Sequence, residues 1–269
     1  MIKINRKEAE NVNRFGIEIE LNNIDPVIFE QAMELKGLSC QYEGYTHRVT
    51  NHWKLVTDSS IVRNRPTDQP HELVSPILNG VAGLQELRKV CECLLFVNAS
   101  VNKSCGVHVH HEARDITDAQ CNNLLNFYAR CERTFDAFMP VSRKRENNPF
   151  CHSMISAYER MQSWETLSDL GKYHKLNFEK RNSYGTLEFR HHSGTTEWEK
   201  LYHWVCLTAN FLHNCKNKTS RASMNFVERA WFPKHLKLSK RTWNFYKERM
   251  KKLDDMSRES QTGRVRLSA

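Results

Sequence analysis

A chain of 269 residues with 39% apolar and 26% charged side chains has the composition of a globular protein, long enough for one large domain. Its first residues contain no apolar run, so no signal peptide is read there, and its apolar windows are too broken by polar residues to span a membrane. Nine cysteines, an odd number without a framework, predict free thiols in a reducing cytoplasm.

The first element is Phe15-Gly16-Ile17-Glu18-Ile19-Glu20-Leu21. Its alternation predicts a strand with Phe15, Ile17, Ile19 and Leu21 facing a core and Gly16, Glu18 and Glu20 on the other side. Carboxylates two residues apart on a strand, roughly 6.6 Å at Cα, repel and raise one another's pKa unless a cation lies between them. Asp25-Pro26 predicts a short capped helix with Val27, Phe29, Met33 and Leu35 as its apolar content and Gly37 at its end. Ser39 to Val49 reads as a strand pair turning at Gly44, Trp53 to Asp58 as the next strand, and 63–70 as a loop. His71 to Val74 is a short strand stopped by Pro76. Leu84, Leu87, Cys91, Leu94 and Leu95 then recur at helical spacing across 81–98. Cys91 and Cys93 lack partners at zinc-ligand spacing and read as small buried side chains of that helix.

Cys105 to His110 repeats the device of the first strand, with His108 and His110 opposite Val107 and Val109. Thr117-Asp118 caps a helix to about Met139, its buried stripe carrying Leu124, Leu125, Tyr128, Phe135 and Phe138, and Pro140 stops it. Residues 141–149 are basic and polar and predict a mobile loop over the site, while 154–170 has weak helical character. Residues 173–178 and 184–191 read as antiparallel strands joined by a turn at 181–183. In the second, Glu188 and Arg190 lie opposite Leu187 and Phe189. A helix over 196–215 follows, with Leu201, Trp204, Val205, Thr208, Phe211 and Leu212 on its core side. From Lys216 onward, 15 Lys and Arg face 5 Asp and Glu, a net of +10, against 25 and 26 in the rest of the chain. This basic segment predicts one or two helices, 241–253 the clearer. It is either a surface for an acidic partner or nucleic acid, or a solvated helical face. Strand pairs interrupted by long helices predict an α+β fold, an antiparallel sheet backed by helices.

Three strands with apolar backs and ionisable fronts, in one sheet, converge their charged groups on one surface. Glu18, Glu20, Glu72 and Glu188 with His108 or His110 are hard oxygen donors plus one imidazole, a set suited to Mg²⁺ or Mn²⁺ rather than zinc. Magnesium held by several carboxylates normally works with a substrate phosphate, and Arg190 supplies a fixed fork for a phosphoryl group. No P-loop or Gly-rich fingerprint is present, so a nucleotide has to be held by the sheet and the metals. Gly-x-Ser-x-Gly is absent too, and Cys105 falls on an apolar face. Two other readings use the same chain. One is a metal-dependent hydrolase on His108, His110 and His111, which needs a (β/α)₈ barrel. The other is a non-catalytic protein that binds through its basic segment.

Six short motifs occur in order: Glu18-x-Glu20, Asp58-Ser-Ser, Glu72-Leu-Val-Ser-Pro, Cys105-Gly-Val-His-Val-His110, Leu176-Asn177, and Glu188-Phe-Arg190 followed by Gly194-Thr195. Together, from about Phe15 to Cys215, they resemble the amidoligase family within the carboxylate–amine ligase superfamily of glutamine synthetase and glutamate–cysteine ligase. The resemblance implies an α+β catalytic domain over 1–215 and leaves 216–269 as a basic helical extension. That domain is a curved antiparallel sheet of about six strands, helices on its convex face, ATP and divalent metals on the concave one. It also implies that ATP phosphorylates a substrate carboxylate and that an amine attacks the acyl phosphate, the substrates being amino acids, peptides or proteins. By position, Glu18, Glu20, Glu72, Glu188 and His108 resemble the metal ligands, and His110 and Asn177 groups near the nucleotide. Arg190 resembles the arginine that steadies the transferring phosphoryl group. Two departures stand out: Lys172-Tyr173 where the family has Arg-Tyr, and His191-His192 where it has apolar residues. The latter pair adds ligands or lies at the surface.

Overall fold

A computed structural model describes residues 2–144, 148–163, 167–218 and 225–261. The strand β1 (Arg14–Leu21) lies inside the sheet, its Phe15, Ile17 and Ile19 buried on one face. On one side it pairs with β4 (His71–Val74), which pairs with β3 (Trp53–Thr57) and then β2 (Cys40–Gly44). On the other it pairs with β6 (Gly106–Glu112), followed by β8 (Thr186–Ser193) and β7 (Leu176–Asn177). A short β5 (Leu78–Asn79) joins the start of β1. The sheet is therefore open and eight-stranded, antiparallel except between β2 and β3. The resemblance implies about six strands; the two-residue β5 and β7 bring the count to eight.

The longer helices are α1 (Pro26–Leu35), α2 (Gly80–Phe96), α3 (Asp118–Ala137), α5 (Met154–Ser163), α7 (Trp198–Cys215) and α9 (Lys240–Gln261). The single-turn ones are α4 (Val141–Lys144), α6 (Lys180–Tyr184) and α8 (Phe232–His235). Local chemistry sets several ends. Asp25 accepts from Ile28 N at 3.1 Å beside Pro26, and Thr117 with Gln120 forms a reciprocal capping box. The apolar face of the sheet is covered by α3 and α7: Phe189 of β8 packs against Tyr128 of α3 and Phe211 of α7. Among the described residues, no helix is long and apolar enough to cross a membrane.

Several expectations need correction. Residues 39–49 are not a strand pair. Gly44, at φ +64, ends β2, and the chain returns by a loop to run β3 parallel to it. Residues 173–175 pair with His152 instead of extending β7, through His152 N to Tyr173 O and Lys175 N to His152 O. The turn at 181–183 is the helix α6, closed by Gly185 in the left-handed conformation. Val27, Leu35 and Leu95 are exposed, because Phe29, Ala32 and Met33, and Leu84, Leu87, Cys91 and Leu94, occupy the inward stripes. The loop expected over 141–149 begins as α4, and 145–147 lie outside the described residues. Residues 154–170 hold α5 and a 3₁₀ turn at Leu167–Leu170, with 164–166 likewise outside.

Candidate active site

The register converts the alternation into a surface. Glu20 stands opposite Glu72, Glu18 opposite His108, Gly16 opposite His110, and His110 opposite Glu188, itself opposite Asn177. All of them lie on the face away from α3 and α7. His108 is the hub. Its Nδ1 is 3.0 Å from Glu18 Oε2 and 3.6 Å from Glu188 Oε1, and its Nε2 is 3.4 Å from Glu20 Oε1. His110 Nε2 lies 3.3 Å from Glu18 Oε1, an ion-pair contact inside the carboxylate cluster. Arg190 pairs with Glu188 and reaches within 3.5 Å of His108 Nδ1. Asn177, fully buried, donates to Glu188 Oε2 at 2.6 Å, so its amide orients that carboxylate. Gly106 N donates to Glu20 Oε2 at 2.5 Å.

The electrostatics separate these acids. Against the effect of burial, the charge of His110 and hydrogen bonds from His108 and His110 hold the Glu18 carboxyl well below the usual range. Arg190 and then His110 lower Glu188 against the same penalty. Burial works to lower His110, but the charges of Glu18 and Glu188 outweigh it and raise its pKa. Glu72 goes the other way. Burial first, then the charges of Glu18, Glu20, Asp58 and Glu188, push its carboxyl well above the ordinary value. Among the described residues it has neither an ion pair nor a hydrogen bond to its carboxylate.

Three groups of side chains bring ligand atoms within 4.8 Å of one another: Glu18, Glu72 and His108; Glu18, His110 and Glu188; and Glu20, Asp58 and Glu72. Every residue read from the sequence as a metal ligand stands in at least one of them. Asp58 stands in the sequence as the end of a strand and within the Asp58-Ser-Ser motif, without a ligand role. Its role needs β3 to lie beside β4, which no local pattern reveals. Arg143 was missed altogether. It sits on α4, is 3% exposed, and its guanidinium lies against Gly106, where a Cβ would collide with its Nη2. His191 and His192 neither add ligands nor reach the surface. A bulge in β8 turns both inward, where His191 Nδ1 bonds the Tyr128 hydroxyl and His192 packs on Trp204. His111 also faces the helices, 2.8 Å from Thr208 Oγ1.

Fold and site together define an α+β protein with a carboxylate–imidazole–guanidinium centre on one face of an antiparallel sheet. The family model described as "Putative amidoligase enzyme" matches residues 11–212, all eight strands included, and the chain belongs to that family. The description is of a ligase that joins its substrates by an amide bond. No curated protein matches the chain.

Proposed function

We propose that this protein is an ATP- and Mg²⁺-dependent carboxylate–amine ligase, forming a peptide or isopeptide bond through an acyl phosphate. The observation that carries the reading is the placing of Glu72 among Glu18, Glu20, Asp58 and Glu188, with no ion pair or hydrogen bond to its carboxylate among the described residues. With Glu18, Glu20, Glu188, His108 and His110, Glu72 makes a donor set of oxygens and imidazole that fits Mg²⁺ or Mn²⁺. Glu18, Glu20, Glu72, Glu188 and His108 would hold the ions, with Asp58 and His110 beside them. Bound there, divalent ions would supply neutralisation of phosphoryl charge.

The protein's own groups do the rest. A cleft runs from Glu18, Glu72 and His110 between the loop after β2 and α6. Val49, Val74 and Ile77 give it an apolar wall, and Arg48, Lys54 and Lys180 give it positive charge. That combination suits a nucleoside polyphosphate. Lys54 braces the loop by donating to Arg48 O at 2.5 Å. In the first half-reaction a substrate carboxylate oxygen attacks the γ-phosphorus, and the bridging bond breaks with its electrons to ADP. In this reading Arg190, beside Glu188 and 3.5 Å from His108 Nδ1, would meet the charge spreading over the phosphoryl oxygens. In the second, the amine attacks the acyl carbon, the carbon–oxygen bond breaks, and phosphate leaves with the proton that the nitrogen gives up.

The chemistry belongs in this reading to residues 1–215, with 216–269 as a basic extension for an acidic partner, and the nine unpaired cysteines suit a reducing cytoplasm. The hydrolase reading loses ground on two observations: His111 is on the wrong face, and the sheet is open rather than a barrel. The test follows one oxygen. Peptides carrying ¹⁸O in their carboxylates are incubated with the protein, ATP, Mg²⁺ and an amine pool. Amide formation with ¹⁸O in the released phosphate supports the acyl phosphate. An amide formed with unlabelled phosphate, or with release of AMP, rejects it.

A further inference from the structure

Arg143 is the group at this centre that the pairings above do not use. Its side chain is almost wholly buried, yet neither Nε nor Nη2 has a hydrogen-bond partner, and among the described residues it forms no ion pair. Guanidinium groups in protein interiors are normally met by carboxylates or carbonyls, because an unpaired buried charge is strongly destabilising. Arg143 is held there nonetheless. α4 packs on β8, and the guanidinium lies over Gly106, the residue whose missing side chain leaves room for it.

Its surroundings say what it faces. The space a Cβ of Gly106 would fill is 3.2 Å from His108 Nε2, so the Arg143 guanidinium stands on the Nε2 side of that ring. Arg190 stands on the other side, 3.5 Å from Nδ1, but it is already matched by Glu188. Arg143 thus offers N–H donors beside the carboxylate cluster with no carboxylate of its own. A tetrahedral oxyanion, with more oxygens and more charge than a carboxylate, is the ligand that best satisfies such a fork.

We propose that Arg143 is a phosphoryl-binding residue of this centre, taking oxygens of the group transferred from ATP and of the phosphate later released. The role rests on the ligase reading, but the residue's affinity for phosphate can be tested without nucleotide, metal or turnover. Melting of the wild-type chain, Arg143→Gln and Arg143→Lys is followed in inorganic phosphate, acetate and chloride at equal ionic strength. In chloride, Arg143→Gln should melt higher than wild type by about 3 °C or more, since a buried unpaired charge is gone. Phosphate should raise the wild-type midpoint, raise Arg143→Lys less, and leave Arg143→Gln unmoved; acetate should do little to any of them. A midpoint for Arg143→Gln below wild type in chloride would make Arg143 a structural cation and overturn the proposal. So would equal stabilisation of wild type and Arg143→Gln by phosphate, or a response to acetate but not phosphate. Failure of the ¹⁸O experiment with this pattern intact would remove the ligase and leave the oxyanion site.

Discussion

At the scale of single residues, the site is a problem in charge balance. His108 and His110 pair with Glu18, Glu20 and Glu188, and Arg190 matches Glu188, which leaves Glu72 without an ion pair among the described residues. A carboxyl whose folded pKa lies above its unfolded value stabilises the protein at low pH and loses that contribution as pH rises through the folded value. The metal-free wild type should therefore lose stability as pH rises above the ordinary carboxylate range in a way that Glu72→Gln does not, and the gap should close when Mg²⁺ is added. Parallel melting curves for the two proteins across that range would remove Glu72 from the account. Five of the site residues, Glu18, Glu20, His108, His110 and Glu188, were legible because alternation on one strand fixes the face on which each lies. Asp58 and Arg143 were not, because their place depends on strand order and on a four-residue helix after Pro140.

At the scale of elements, β8 matters most, and it is where a strict period of two fails. Val109 pairs with Phe189 but Val107 with His192, so β8 holds one extra residue there. Arg190 stays on the acidic face, while His191 and His192 both turn to the helices. Behind the bulge lies a buried polar network. Lys175 pairs with Glu132 and, at 2.7 Å, Asp136 of α3; Asp136 meets His191 at 2.9 Å, and Lys175 O accepts from Arg190 N at 2.9 Å. The network ties the strand carrying Glu188 and Arg190 to the helix layer. Lys175→Met should cost about 3–5 kcal/mol by stranding Glu132, and Glu132→Gln should recover part of that loss in the double variant, as read by denaturant titration. Additive losses would show that the two are not coupled. Periodicity made β1, β6, α2, α3 and α7 legible, since each sets a regular apolar stripe against the core. It could not give the parallel β2–β3 pair or α6, which follow from positive φ at Gly44 and Gly185.

At the scale of the whole molecule, the basic extension is less separable than its charge suggests. Phe232 of α8 packs edge-on against Phe135, with centroids 5.1 Å apart, and Tyr246 of α9 lies 4.3 Å from Phe138. Arg249 Nε donates to Phe138 O at 2.7 Å. Phe232, Leu236, Tyr246 and Met250 are all buried in the common core. Each is worth about 1.5–3 kcal/mol, together comparable to the ~5–15 kcal/mol that holds a domain folded. A chain ending at Cys215 should lose cooperative melting, whereas one ending at Leu253 should keep it. Cooperative unfolding of the shorter chain would show that α8 and α9 are dispensable. The central claim, that the acidic face holds divalent ions for work on a nucleotide, is tested most directly by Mn²⁺ titration followed by electron paramagnetic resonance, with and without ATP. The account predicts that the protein removes the free-ion signal, that ATP tightens this binding, and that Glu18→Gln abolishes it. A free-ion signal unaffected by the protein, with ATP or without, would contradict it.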